Sequence, residues 1–313
     1  MTGPVIVNQI DEAFGAMLAA QPCKPRVINH FEKDRPWTFP AEAEVLVTAA
    51  FKAWPKAPDR AHRPALKWVQ TYSAGIEAYP GWLLDGVIVT NGRGLTAPQI
   101  AEYVLAAMLV AERDIVGARA TGPDDWGARS FGTLEGRVLG VLGYGAIGAE
   151  TVARARAFGM EILVNRRGAW GRVPEGVTPC ASPQEVVSRA DHLLLAMPHT
   201  AETDRILDDA LLAQAKPGLH LINVARGGLV DDAALLRALA DGRMGRATLD
   251  VTAPEPLPEG HAFWTHPNIL LTPHVSYIGG AERERFDRKT KANLEAFVSG
   301  APMQDIVDLA RGY

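Results

Sequence analysis

Three side chains whose types suit one chemistry stand just past apolar runs in the second half of the chain. Arg226 follows Leu221–Val224, Glu255 follows Ala247–Val251 and His274 follows Ile269–Leu271. A guanidinium can hold a carboxylate through two parallel hydrogen bonds and polarise the carbonyl beside it. An imidazole is the side chain best tuned to give or take a proton near neutral pH. A neighbouring carboxylate favours the imidazolium, which keeps the acid form at hand. Together the three fit hydride chemistry on a 2-oxo acid. Singly, each has a plainer reading: a surface arginine, a packed loop histidine after Pro273, and a solvated turn in Pro254-Glu255-Pro256.

Such chemistry needs a carrier site. Val138–Leu142 reads as a buried parallel strand and ends in Gly143-x-Gly145-x-x-Gly148, with a helical pattern after it. Gly143 permits the tight turn, Gly145 leaves room for a pyrophosphate, and Gly148 lets the helix lie on the strand. The helix start offers free N–H groups and a positive dipole end to phosphates. Gly143, Tyr144, Gly145, Ala146, Ile147 and Gly148 are therefore candidate cofactor-binding residues. A second strand, Glu161–Val164, completes the dinucleotide-binding context. A site that prefers NAD usually ends this strand with an acidic residue about 20 positions past the glycines. Here Arg166 stands 18 residues past Gly148, followed by Arg167. Two guanidinium groups can pair with the 2′-phosphate of NADP, so NADP is the expected cofactor, with NAD possible; the plainer reading is a solvated surface pair.

The elements that must position these residues alternate along the chain. Val5–Val7, Arg26–Ile28, Val45–Val47, Leu66–Gln70 and Val87–Val89 read as strands, with a helix over Glu12–Ala20 and irregular loops over Pro36–Pro64. Thr96 and Gln99 have the spacing of a capping box, and the helix they head is expected to run to about Arg119. Its broad apolar face, Val104, Leu105, Met108, Leu109, Ala111, Ile115 and Val116, points to burial between domains or subunits. Gly122–Gly132 reads as an exposed loop. Ser182–Glu185 and Asp231–Asp232 start further helices, between strands at His192–Met197, Leu219–Val224, Arg246–Val251 and Ile269–Leu271. Glu282–Ser299 closes the chain as a helix. The expected fold is α/β: a Rossmann-type doubly wound parallel sheet with a second, smaller flavodoxin-like α/β domain. Residues 1–97, completed by 282–313, would form the substrate domain, and 98–281 the dinucleotide-binding domain.

Bulk properties exclude other classes. The 313 residues are 47% hydrophobic and 22% charged, enough for two ordinary domains with sizeable cores. A net charge of −4 points to neither nucleic acid nor an anionic membrane. No apolar stretch reaches membrane-spanning length. The start, Met1-Thr2-Gly3-Pro4, carries no signal-like core. Cys23 and Cys180 fit no metal or redox spacing, so no metal is expected and a cytoplasmic protein with two reduced thiols is.

The chain resembles the D-isomer-specific 2-hydroxyacid dehydrogenases, in particular the glyoxylate/hydroxypyruvate reductases. The resemblance rests on Leu142–Gly148, Met197-Pro198-His199-Thr200-Ala201-Glu202-Thr203, Asn223–Asp231, Leu249–Leu257 and Leu271–His274. Arg226 and Asp250, and Asp250 and His274, are each 24 positions apart. The match spans about Trp68 to Tyr313; the first 65 residues agree only in general pattern. The resemblance implies that Arg226 binds the substrate carboxylate and carbonyl, that His274 is the general acid in reduction, and that Glu255 is its partner. It implies that Asp250 contacts the nicotinamide carboxamide, that backbone at Pro198, His199 and Val224 lines the cofactor, and that Thr203 touches it. Ser73–Ile76 would add amide donors for the substrate, chiefly at Ala74 and Gly75. Glu102 matches the family as a structural residue, and Phe51 and Lys52 could face the substrate. Formate dehydrogenases of the family carry glutamine at the place of Glu255, which argues against that reaction. The expected activity is NAD(P)H-dependent reduction of a small 2-oxo acid, by a homodimer. The alternatives are a dehydrogenase of a larger acid such as 3-phosphoglycerate, with Lys52 or Arg93 as extra cations, and a nicotinamide-sensing corepressor-like binding protein.

Overall fold

Apolar runs too short to form stable pairs alone assemble into two parallel sheets. The computed structural model describes residues 3–59, 65–127 and 130–311. The chain divides into two compact units, Met1–Leu95 with Ala281–Tyr313, and Thr96–Gly280. The far end of the Pro36–Pro64 stretch, part of the Gly122–Gly132 loop and Tyr313 lie outside the described residues.

The first unit is built on β1 (Val5–Asn8), β2 (Arg26–Asn29), β3 (Val45–Thr48), β4 (Trp68–Thr71) and β5 (Ile88–Thr90), all parallel, in the order β2-β1-β3-β4-β5. This is the 2-1-3-4-5 order of flavodoxin-like sheets. The inner strands β3 and β4 are buried at every position, as strands covered on both faces must be. Helix α1 (Glu12–Ala19) is capped by Asp11, which accepts the Phe14 N–H at 2.8 Å. The short helix α2 (Gly81–Leu84) precedes β5. The closing helix, Glu282–Ser299, returns to this unit: Phe286 stacks on Phe14 at 5.2 Å, and Arg283 pairs with Asp11.

The second unit holds β6 (Val138–Leu142), β7 (Glu161–Asn165), β8 (Val177–Pro179), β9 (His192–Leu195), β10 (Leu219–Asn223), β11 (Met244–Leu249) and β12 (Ile269–Leu271). They are parallel and ordered β12-β11-β10-β9-β6-β7-β8. Counted from β6, that is the 3-2-1-4-5-6 arrangement of dinucleotide-binding sheets with one strand added. The order reverses between β6 and β9, and ligands of such sheets bind at the carboxyl ends there. Helices α3 (Ala97–Arg113), α4 (Ala146–Ala157), α5 (Pro183–Val187), α6 (Asp209–Leu212) and α7 (Asp232–Ala240) belong to this unit. Ser182, Asp208 and Asp231 each accept a backbone N–H at the start of their helix, which is why α5, α6 and α7 begin where they do.

Two local expectations for α3 give way to other contacts. Thr96 makes no side-chain cap, and the Gln99 amide donates to the Gly279 carbonyl instead of closing a capping box. A cap contributes only about 1 kcal/mol, so a part-buried hydrogen bond to a distant segment can displace it. The helix also stops at Arg113 and not near Arg119. Asp114 turns left-handed (φ 34°), and its carboxylate accepts the Gly117 N–H at 3.1 Å, an alternative to helical bonding. Val104, Leu105 and Met108 are buried, while Ile115 and Val116 stand open at 76% and 82% exposure.

A buried imidazole pair crosses the middle of the second sheet. His192 Nδ1 and His220 Nδ1 lie 3.0 Å apart, and His220 Nε2 is 3.0 Å from Thr248 Oγ1. His192 Nε2 lies 3.3 Å from Glu112 Oε1. Burial lowers the pKa of both rings; Glu112 and Asp191 oppose this at His192 and Arg137 reinforces it, while His192 and Arg246 reinforce it at His220. The folded rings therefore bind protons less readily than the unfolded ones. The stability they contribute is complete above about pH 6.5 and is lost as pH falls through their depressed values. Urea midpoints should accordingly drop between about pH 7 and pH 5, and the drop should be shallower in His220→Gln. Equal slopes in the two proteins would contradict this account.

Candidate active site

The carboxyl ends of six strands of the second unit carry the candidate residues. At the end of β6, Gly143 has φ 98°, and a Cβ there would lie 2.6 Å from the Ala196 carbonyl oxygen. A Cβ at Gly148 would lie 2.6 Å from the Gly143 oxygen, so α4 packs directly on the turn. Among the described residues, nothing beyond its own chain neighbours comes within 4 Å of a Cβ built at Gly145. No side chain caps the first turn of α4, formed by Ala146, Ile147 and Gly148. Tyr144 packs its ring 5.1 Å from that of Trp170.

At the end of β7 the two arginines part. The Arg166 guanidinium lies over the Trp170 ring, 5.2 Å from its centroid, whereas Arg167 reaches Glu202 at 3.6 Å. Beyond β9, Thr203 closes the turn from Pro198: its hydroxyl donates to the Pro198 carbonyl (2.8 Å) and accepts the Thr200 N–H (2.8 Å). His199 Nε2 lies 2.8 Å from Asp204 Oδ1, and the His199 ring covers Gly228.

Beyond β10, buried Asn223 shapes the loop through Val224 to Arg226. Its Oδ1 accepts the Ala225 N–H (3.1 Å) and its Nδ2 donates to the Arg226 carbonyl (2.9 Å). Arg226 itself is half-buried, with one guanidinium nitrogen donating to the Ala225 carbonyl at 2.8 Å. A Cβ on Gly227 would lie 2.0 Å from the Thr252 carbonyl carbon, so only glycine lets this loop meet the segment that leads to Glu255.

His274 and Glu255 are brought into contact, with Nδ1 to Oε2 2.9 Å. A carboxylate only accepts, so Nδ1 carries the donated hydrogen and Nε2 is left outside this contact. The second oxygen of Glu255 accepts the Thr252 N–H at 3.0 Å. His274 sits at φ 53°, a left-handed conformation that costs a non-glycine residue about 1–3 kcal/mol and persists only where surroundings enforce it. Asp250 enforces it. The backbone oxygen of Asp250 accepts the His274 N–H (2.9 Å). Its carboxylate, 1% exposed, accepts Thr272 Oγ1 (2.5 Å) and the N–H groups of Val275 (2.8 Å) and Ser276 (2.9 Å). Tyr103, on α3, completes the chain with its hydroxyl 2.7 Å from Thr272 Oγ1. Burial raises the Tyr103 pKa, which keeps this hydroxyl a donor. Nothing in the sequence marks the contact of Tyr103 with Thr272 or that of Trp170 with Tyr144, because these partners are remote in the chain.

In the first unit, the Ser73–Ile76 loop follows β4. The Ser73 carbonyl accepts from Thr71 Oγ1 and the Gly92 N–H, the Ala74 carbonyl from Asn91 Nδ2, and the Gly75 carbonyl from Ser73 Oγ. The N–H groups of Ala74 and Gly75 are left without a partner among the described residues. Phe51 packs partly buried against the core, and Lys52 is exposed.

Residues 105–276 match the family model of the D-isomer specific 2-hydroxyacid dehydrogenase, NAD binding domain. The chain belongs to this family. It is 31% identical to a glycerate dehydrogenase of Methylorubrum extorquens over 88% of this chain and 91% of that one. It is also 31% identical to glyoxylate/hydroxypyruvate reductase A of Serratia proteamaculans, over 86% and 93%. The crystal structure of a D-isomer specific 2-hydroxyacid dehydrogenase from Xanthobacter autotrophicus Py2, in complex with NADPH and MES, superposes with a TM-score of 0.82 over the full length of both chains at 28% identity. As a member of the family the chain is a nicotinamide-dependent oxidoreductase, and the matched residues lie within its seven-stranded unit. Among the described residues, no group of His, Cys, Asp and Glu could hold a metal, and no helix is long and apolar enough to cross a membrane.

Asp250 offers a direct check on how this dehydrogenase holds His274. An amide at position 250 supplies one acceptor oxygen and sets an N–H against a backbone or hydroxyl donor. Asp250→Asn is expected to cost about 2–4 kcal/mol in urea unfolding and to lower kcat at least ~10-fold, whereas Tyr103→Phe costs about 1 kcal/mol or less. An Asp250→Asn enzyme as stable and active as the parent would remove Asp250 from this role.

Proposed function

We propose that the chain reduces a small 2-oxo acid of the glyoxylate or hydroxypyruvate type to the 2-hydroxy acid, with NADPH as the preferred cofactor. The observation that carries the reading is the contact between His274 and Glu255 at the strand ends of a nicotinamide-binding sheet. Relatives named for glyoxylate/hydroxypyruvate and glycerate support the substrate class. The residues present fit the cofactor: open space at Gly145, an uncapped α4 and no carboxylate between Glu161 and Glu175. Gly143–Gly148 would hold the pyrophosphate and Arg166 and Arg167 the adenosine end. Backbone at Pro198, His199 and Val224, with Thr203, would line the remainder, and Asp250 would meet the carboxamide. When bound, the cofactor supplies the hydride.

The chain's own residues do the rest. Arg226 pairs its guanidinium with the substrate carboxylate and polarises the 2-oxo group. His274 gives a proton from Nε2 to the carbonyl oxygen, and Glu255 at Nδ1 orients the ring for that transfer. The amides of Ala74 and Gly75 are proposed as further donors to a carboxylate, because their own carbonyls are engaged and their N–H groups are not.

The chain is further proposed to form a homodimer through the segment that follows α3. Ile115, Val116 and Trp126 are 76%, 82% and 87% exposed, three large apolar groups that an isolated chain would leave in water. A second copy is the occupant that the family resemblance implies.

Two measurements test these proposals. A panel of 2-oxo acids, 3-phosphohydroxypyruvate included, run with both cofactors should give the highest kcat/KM for the smallest acids with NADPH. In that assay His274→Ala and Arg226→Ala should each lose at least ~100-fold in kcat while cofactor affinity survives; wild-type rates in either variant, or equal use of NADH and NADPH, would overturn the corresponding part. Sedimentation should show a dimer that Val116→Asp with Trp126→Ser converts to monomer, and a monomeric parent chain would exclude the dimer.

A further inference from the structure

The two arginines after β7 are adjacent in sequence but differently held. Arg167 is drawn toward Glu202, in the loop that follows Thr200. Arg166 lies over Trp170, its guanidinium carbon 5.2 Å from the ring centroid. The Trp170 ring is in turn 5.1 Å from Tyr144, inside the glycine-rich turn, and both rings pack with Ile147 against the core under β6 and β7. The loop returns the indole to this place through Gly168, at φ 80°. The result is a run of contacts from the glycine-rich turn to a cation, Tyr144 to Trp170 to Arg166, with the two rings tilted by 52°.

We propose that Trp170 is the positioning residue for cofactor preference, holding Arg166 in the pose that meets the 2′-phosphate of NADPH. The inference rests on the NADPH reading above and names the side chain that makes it work. A long, exposed arginine loses rotamer freedom when it captures an anion. A guanidinium already seated on an indole, with its Nε donating to the Arg167 carbonyl at 3.3 Å, has lost that freedom beforehand, and its two terminal nitrogens remain to bond a phosphate. Trp is the ring that binds a cation best, and Phe binds it less well. Arg167, engaged by Glu202, contributes general positive potential without that fixed pose.

The fragments 2′,5′-ADP and 5′-AMP, which differ by the 2′-phosphate alone, are suitable probes for calorimetric titration of the full-length chain. The parent protein is expected to bind 2′,5′-ADP at least ~30-fold more tightly than 5′-AMP, and Arg166→Gln to remove most of that ratio. Trp170→Leu should weaken 2′,5′-ADP by about three- to tenfold and leave 5′-AMP unchanged, with Trp170→Phe in between. If Trp170→Leu weakens both fragments alike, or neither, the indole serves packing only and the proposal is overturned. If the parent protein does not distinguish the fragments, the NADPH reading itself fails and takes the proposal with it, a result separate from the previous one. Should Trp170→Leu not fold, Trp170→Phe measured with Arg166 and with Arg166→Gln carries the test. The Phe effect should vanish once Gln replaces Arg166, and an equal effect in both backgrounds overturns the proposal.

Discussion

A buried carboxylate governs the candidate active site. Asp250 is 1% exposed, and a carboxylate in such a place is tolerated only when its oxygens are engaged. Thr272, Val275 and Ser276 engage them, and the Asp250 backbone oxygen adds the N–H of His274. Hydrogen bonds to a charged group contribute about 1.5–3 kcal/mol each. Three of them outweigh the ~1–3 kcal/mol that a left-handed histidine costs, so the turn can hold His274 in a conformation it would not adopt alone. The ring then meets Glu255 through Nδ1, which leaves Nε2 outside that contact.

The His274–Glu255 pair itself contributes little to holding the fold together. Its side chains are 42% and 39% exposed, and ion pairs so exposed contribute about 0–1 kcal/mol. Its geometry is better understood as the product of other contacts than as their cause. Asp250 holds one side of it, and the Thr252 N–H on Glu255 holds the other. Tyr103 and Gln99 extend the support, since α3 bonds to both Thr272 and Gly279. The helix thereby gives up its own N-terminal cap to tie down the segment that carries His274.

The nucleotide side follows a different rule. There, the decisive features are places where side chains are missing or stacked, and not where charges pair. Gly143 and Gly148 allow backbone to touch backbone, and Gly145 leaves a gap. Arg166 owes its pose to an aromatic ring and Arg167 owes its own to a carboxylate, so two neighbours of identical chemistry become unequal.

Sequence by itself determined the alternation of strands and helices, the glycine-rich turn, the caps at Ser182 and Asp231, and the placing of Arg226, Glu255 and His274 at strand ends. These are written in neighbouring residues: apolar periodicity, turn formers and cap residues act over a few positions, and parallel sheets place strand ends on one rim. Tertiary structure alone decided what Asp250 binds, that Tyr103 reaches Thr272, that Trp170 lies between Tyr144 and Arg166, and that Gln99 abandons its cap for Gly279. It also decided that α3 stops at Arg113, where the Asp114 turn outweighed an apolar pattern that continued to Val116. Each of these joins groups whose separation in the chain carries no periodic signal, or sets a local preference of about 1 kcal/mol against a competing bond. Only the packed strands bring the competitors within reach.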